Sequence, residues 1–174
     1  MTILPFENKS PDINDAAIIS DLATVVGEVE IDKDVCIFPG AFIRGDYSSV
    51  RIGSNTIIYD SVIIYPQREE NPTLIGSNTI IKSNVVIRGA YIGDSVLVAE
   101  GVTILDGATI GDGVIISPNS VITPNLVIPP RTVVAGSPAT PVREINHDEF
   151  EDISKQAKTT FEVISHLKKY SIKF

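Results

Sequence analysis

Two arginines and a tyrosine are the residues of this chain whose types and spacing suit chemistry. Arg44, Tyr65 and Arg88 each follow directly on an isoleucine, Ile43, Ile64 and Ile87. If those isoleucines stack in successive coils, the three polar residues form one outward column, with Leu105 next after Ile104. Two guanidinium groups about twice the ordinary interstrand spacing apart repel unless a carboxylate or a bound anion lies between them. Asp46 can compensate Arg44, and Asp60 or Glu69 can reach Arg88, which would close the network. Left open, the guanidinium forks suit a planar carboxylate, bicarbonate or phosphate. Nitrogen and sulfur donors for a metal are scarce. The chain has two histidines, His147 and His166, both near its C-terminus, and one cysteine, Cys36. Catalytic zinc needs three firm N, S or carboxylate ligands.

A six-residue beat positions that column. Ile92, Val98, Ile104, Ile110, Ile116, Ile122, Ile128 and Val134 recur at every sixth place, all β-branched and apolar. Two places before each stand Ala90, Val96, Val102, Ala108, Val114, Ser120, Leu126 and Thr132. A helix needs spacings of three and four, and a plain strand alternates by two. Hexapeptides with two inward positions point to an all-β parallel β-helix, three hexapeptides to a triangular coil. Corners at Gly53-Ser54-Asn55, Gly76-Ser77-Asn78, Gly93-Asp94 and Gly111-Asp112-Gly113 supply residues that turn sharply at little cost.

The beat starts at Ile19 and slips over Arg44–Val50. It slips again at Pro66–Pro72, a polar loop ejected from one corner and carrying Glu69 and Glu70. Counting through the slips gives about six coils, from residue 17 to residue 143. Residues 1–16 carry no beat and read as a strap over the first coil. In residues 144–174 the period changes. Phe150, Ile153, Ala157, Phe161, Ile164 and Leu167 mark an amphipathic α-helix packed alongside the prism. Acids near its start and Lys168 and Lys169 near its end match the helix dipole.

Composition excludes other classes. A net charge of −8 argues against nucleic acid or an anionic membrane as partner. No signal-peptide pattern or apolar run of membrane length is apparent, and a single cysteine fits a reducing cytoplasm. Cys36 precedes an inward isoleucine and therefore points outward, and it reads as an inert thiol buried at a subunit contact. His147 reads as a residue near the helix N-cap, and His166 as a helix-surface side chain.

Five stretches carry a resemblance: Phe42-Ile-Arg44-Gly-Asp46, Val50-Arg-Ile-Gly53, Asp60-Ser-Val-Ile-Ile-Tyr65, Asn84-Val-Val-Ile-Arg-Gly89 and Ala135-Gly-Ser-Pro-Ala139. Together they resemble the γ-class carbonic anhydrase family from about Val25 to Arg143. The resemblance implies a left-handed β-helix and a homotrimer. It also implies a zinc held between subunits by two histidines of one chain and one of the next. Here the match departs from the family. The first ligand falls on Tyr65, the second on Ser83 and the third on Arg88, and the glutamine of the first ligand's run becomes Tyr59. Serine and arginine are not zinc ligands, so no metal or other cofactor and no zinc-dependent hydration of CO2 is expected, and other catalysis stays open. Arg44, Tyr59, Asp60, Tyr65, Ser83 and Arg88 outline a candidate interfacial pocket for a small anion. Arg44 and Asp46 are expected as an ion pair holding the trimer. Two other readings stand beside this one. The first is a non-catalytic assembly protein with a protein partner, akin to the hexapeptide subunits of the dynactin pointed end. The second is a CoA-dependent acyltransferase, suggested by the Gly136-Ser-Pro-Ala139 ending but lacking the usual histidine.

Overall fold

The structure, a computed structural model, describes residues 1–169, with side chains to Leu167. Residues 170–174, the end of the 144–174 segment, lie outside the described residues, as do the side chains of Lys168 and Lys169.

Short parallel strands stack into a three-sided prism. On the first side Ile18–Ile19, Cys36–Ile37, Ile57–Ile58, Ile80–Ile81, Leu97–Val98 and Ile115–Ile116 pair in order, and Thr132–Gly136 follows as the seventh. The second side aligns Ile43, Ile64, Ile87, Ile104 and Ile122. The third aligns Ile52, Ile75, Ile92, Ile110 and Ile128. The eight residues Ile92, Val98, Ile104, Ile110, Ile116, Ile122, Ile128 and Val134 are all buried, at no more than 3% exposure. Stacking β-branched side chains directly over one another fills a narrow core without aromatic bulk, which is why the beat is so strict.

Seven stacked strands on one side exceed the expected six coils by about one. The beat from Ile19 itself puts seven strands on this side and six on each of the others, and the N-terminal stretch supplies the seventh on both, so it does more than overlie the prism. Thr2–Leu4 pairs parallel with Thr24–Ile31, setting Ile3 over Val25, and Asp12–Ile13 sets Ile13 over Ile31. These residues supply two sides of a first coil. Their lack of a beat reflects a small hairpin between them, where Phe6 and Lys9 bridge.

The two slips have different causes. Thr24–Ile31 and Phe42–Ile52 run around one corner without a break, and Asp46–Ser49 bulge where the neighbouring strand has Glu28 alone. At the second slip the chain leaves the prism between Ile63–Ile64 and Thr73–Ile75. Corner residues divide their duties. A Cβ on Gly76 would lie 2.4 Å from Asp94 Oδ1, so glycine there serves close coil stacking. The left-handed backbone falls two places later on Asn78, at φ 56°.

The far end is closed by Thr132–Gly136 turning antiparallel onto Ala139–Glu144. The helix His147–Lys169 then begins with a reciprocal cap. Glu149 N donates to Asn146 Oδ1 at 2.8 Å, and Asn146 N donates to Glu149 Oε2 at 3.0 Å. Ile153, Ala157 and Ile164 bury against the outward residues of the first side, Ile18, Cys36, Ile57 and Ile80. Cys36 is therefore fully buried beneath the chain's own helix. This corrects its assignment to a subunit contact: an apolar helix stripe needs a cover for itself, and the nearest apolar sheet face is in the same chain. His147 opens the helix and His166 lies on its exposed surface.

Candidate functional site

The second side carries the arginine–tyrosine column. Its ladder sets Phe42 beside Ile63 and Ile63 beside Val86, so the residues leaving each strand leave at the same corner. Backbone bonds extend this order outward: Tyr65 N donates to Ile87 O and Arg88 N to Ile104 O, each at 2.9 Å. Arg44, Tyr65 and Arg88 are thereby brought together as the count implied. The Arg44 guanidinium carbon lies 5.9 Å from the centre of the Tyr65 ring, and that of Arg88 lies 6.0 Å from it. The phenol ring separates the two cations and offers each its π face.

Each arginine also has its own carboxylate. Arg44 Nε donates to Asp46 Oδ2 at 3.1 Å, and its Nη2 reaches the same oxygen, within one chain. Arg88 Nη2 lies 2.8 Å from Asp106 Oδ2, and Gln67 of the ejected loop accepts a further bond from that nitrogen. Asp106 thus takes the place expected of Asp60 or Glu69. It follows Leu105 at the corner of the next coil, one residue beyond the column that the count of sixes traces. Glu69 instead accepts from Ser48 Oγ through its backbone oxygen at 2.9 Å, which ties the loop to the bulge. Glu70 lies 3.9 Å from Arg68 at the exposed loop tip. Arg88 Nε and Asp106 Oδ1 are buried without a partner in the chain, so this pair retains one unused donor and one unused acceptor.

The remaining three candidates stand elsewhere in a single chain. Tyr59 leaves the first side, stacks on Phe38 with ring centres 4.8 Å apart, and takes the Lys82 ammonium over its face at 4.4 Å. Asp60 and Ser83 occupy the corner between the first and second sides, where Asn84 N donates to Asp60 O and Gly101 N to Ser83 O. Ser83 and Arg88 lie five residues apart at opposite ends of one side, roughly 16 Å of extended chain. No side-chain rotation spans that, so only a second copy can set Ser83 against the Arg88 of this chain.

These groups do not fit zinc. Arg88 is a permanent cation held in an ion pair, and its charge opposes a metal at that place. Within one chain, and among the described residues, no three of His, Cys, Asp and Glu stand close enough to hold a metal ion.

Comparisons with known proteins agree with this architecture. Residues 89–124 match the family described as bacterial transferase hexapeptide (six repeats). The chain is 30% identical over 82 residues to gamma carbonic anhydrase 1, mitochondrial, of Arabidopsis thaliana; the match covers 44% of this chain and 30% of that protein. It is 36% identical over 73 residues to a carbonic anhydrase of Geobacillus kaustophilus, covering 42% and 40%. The chain therefore spans less than half the length of these relatives. Over nearly its whole length it superposes on a crystal structure of a Bacillus cereus protein, with a TM-score of 0.92, 28% identity and coverage of 97% and 98%.

Proposed function

We propose that this γ-carbonic-anhydrase-like, left-handed hexapeptide β-helix acts as a zinc-free homotrimer that holds a small oxyanion at its subunit interface. On this reading the arginine–tyrosine column stands where the family keeps its metal. The carrying observation is the Tyr65 ring set between Arg44 and Arg88, with centre-to-cation distances of 5.9 and 6.0 Å. Because Asp46 and Asp106 already neutralise the two cations, binding is weak, with a Kd in the ~mM range, and relies on guanidinium N–H groups the carboxylates do not use.

Two features support the trimer. The outward residues of the second side, Phe42, Ile63, Val86, Thr103 and Val121, form a mostly apolar strip interrupted by the threonine; Ile63 is 39% exposed and the others are partly exposed. The separation of Ser83 from Arg88 along one side also demands a second copy if both are to line one pocket. In such a pocket a neighbour's Asp60 and Ser83 face the column and offer an acceptor and a hydroxyl to the ligand.

Sedimentation of dilute protein, zinc analysis after purification without added metal, and a CO2 hydration assay test the framework. Trimers with far less than one zinc per chain and no hydration are expected. One zinc per chain with hydratase activity would overturn the reading. Calorimetric titration with bicarbonate, acetate and phosphate, on parent and Arg88→Lys protein, tests the ligand. Lysine keeps the charge and loses the fork, so affinity should fall several-fold. Equal affinities, or no anion binding at all, would remove the anion and leave an assembly role.

A further inference from the structure

Beside the bulge at Asp46–Ser49, the N-terminal hairpin and the ejected loop border an open-sided cavity of about 470 Å³. Its size falls in the usual range for small-molecule sites, roughly 300–1,000 Å³. Phe6 and Tyr47 line it, and both are exposed, at 42% and 60%. Three separate segments converge there, and three hydrogen bonds hold them in shape. Phe6 and Lys9 pair through their backbones at 2.9 and 3.0 Å, and Ser48 Oγ fixes the loop at Glu69.

The charges of this cavity have one sign in excess. Arg44 is occupied by Asp46, and Lys9 by Glu28. Glu7 and Glu69 then add two carboxylates to the lining. Their effect is already felt by an ammonium. The Lys9 amine is pushed above its ordinary pKa, first by its hydrogen bond and charge interaction with Glu28, and further by Glu7 and Glu69. Surplus carboxylate beside open aromatic faces is the environment that a compact organic cation prefers. A hard metal ion would ignore the rings and would need a tighter oxygen cluster, and none is present among the described residues.

We propose that this cavity binds a small organic ammonium ion, with Tyr47 and Phe6 presenting their faces to it and Glu7 and Glu69 supplying the counter-charge. The site is distinct from the oxyanion pocket and does not depend on it. Arg44 and Asp46 lie at the boundary between the two, and Arg88 does not line the cavity.

Calorimetric titration of the full chain with tetramethylammonium chloride, against sodium chloride as the control, reads this directly. Tyr47→Ala and Glu69→Gln change exposed side chains and should leave the melting temperature unchanged. Each should weaken tetramethylammonium about two- to fivefold, while Arg88→Lys should leave it unaltered. The proposal is overturned if tetramethylammonium gives no heat beyond sodium, or if Tyr47→Ala protein binds it as tightly as the parent. Loss of binding in Arg88→Lys protein would also overturn it, because the cation would then belong to the other site.

Discussion

Replacing Arg88 by alanine should expose how much of the column is structural. The arginine side chain is 28% exposed and that of Asp106 14%, so the pair is neither a surface bridge nor a sealed one. Breaking a fully buried pair costs about 3–5 kcal/mol, mostly through the charge left behind. An exposed pair contributes about 0–1 kcal/mol. Asp106 lies nearer the buried limit, and its Oδ1 already lacks a partner, so removing Arg88 leaves both oxygens unmet in a mostly enclosed place. After discounting for the exposed fraction, the expected loss is about 2–3 kcal/mol. In a chain of 174 residues that lowers Tm by roughly 5–10 °C. Arg88→Ala/Asp106→Ala should recover at least about 1 kcal/mol, because the stranded carboxylate is gone. Urea unfolding followed by far-UV circular dichroism at one chain concentration measures both, since the chain has no Trp to report. A single variant within about 0.5 kcal/mol of the parent, or a double variant less stable than the single, would refute the account of the pair.

Two further outcomes follow from the packing and from the helix cap. Ile110 is fully buried between Ile92 and Ile128, and Ile110→Asp should cost several kcal/mol, enough to consume much of a margin of roughly 5–15 kcal/mol; a soluble variant with unchanged melting would mean the inward register is wrong. Glu149 has its pKa lowered from 4.5 to about 2, first by the hydrogen bond from Arg143 and then by that from Asn146 N. Its depressed value means the cap contributes fully above pH 4.5 and is lost as pH falls through about 2. Helix content should therefore drop over that window, and Glu149→Gln protein should lack this step when followed by circular dichroism.

The prism was legible in the sequence because its constraint is local and repeated. Each inward position must be small or β-branched to fit a narrow core, so Ile92 through Val134 spell out the register one residue at a time. The column of Ile43, Ile64, Ile87 and Ile104 followed from that count, and with it the meeting of Arg44, Tyr65 and Arg88. The helix was legible for the same reason, since Ile153, Ala157 and Ile164 must share one face.

What the beat could not carry was any outward contact made across a slip or between distant segments. Asp106 rather than Asp60 or Glu69 answers Arg88, because outward side chains at a corner obey no period. Tyr59 and Ser83 sit a full side away from Arg88, a distance that motif alignment does not express. Cys36 points outward, as its place before Ile37 requires, but only the return of residues 147–169 across the first side puts a cover on it. The N-terminal residues join the stack through backbone pairing with Thr24–Ile31, and backbone hydrogen bonds leave no mark on residue type. Inward packing selects side chains and is therefore written in the sequence, whereas the partners of outward charges are decided by where the completed coils and the returning helix bring them.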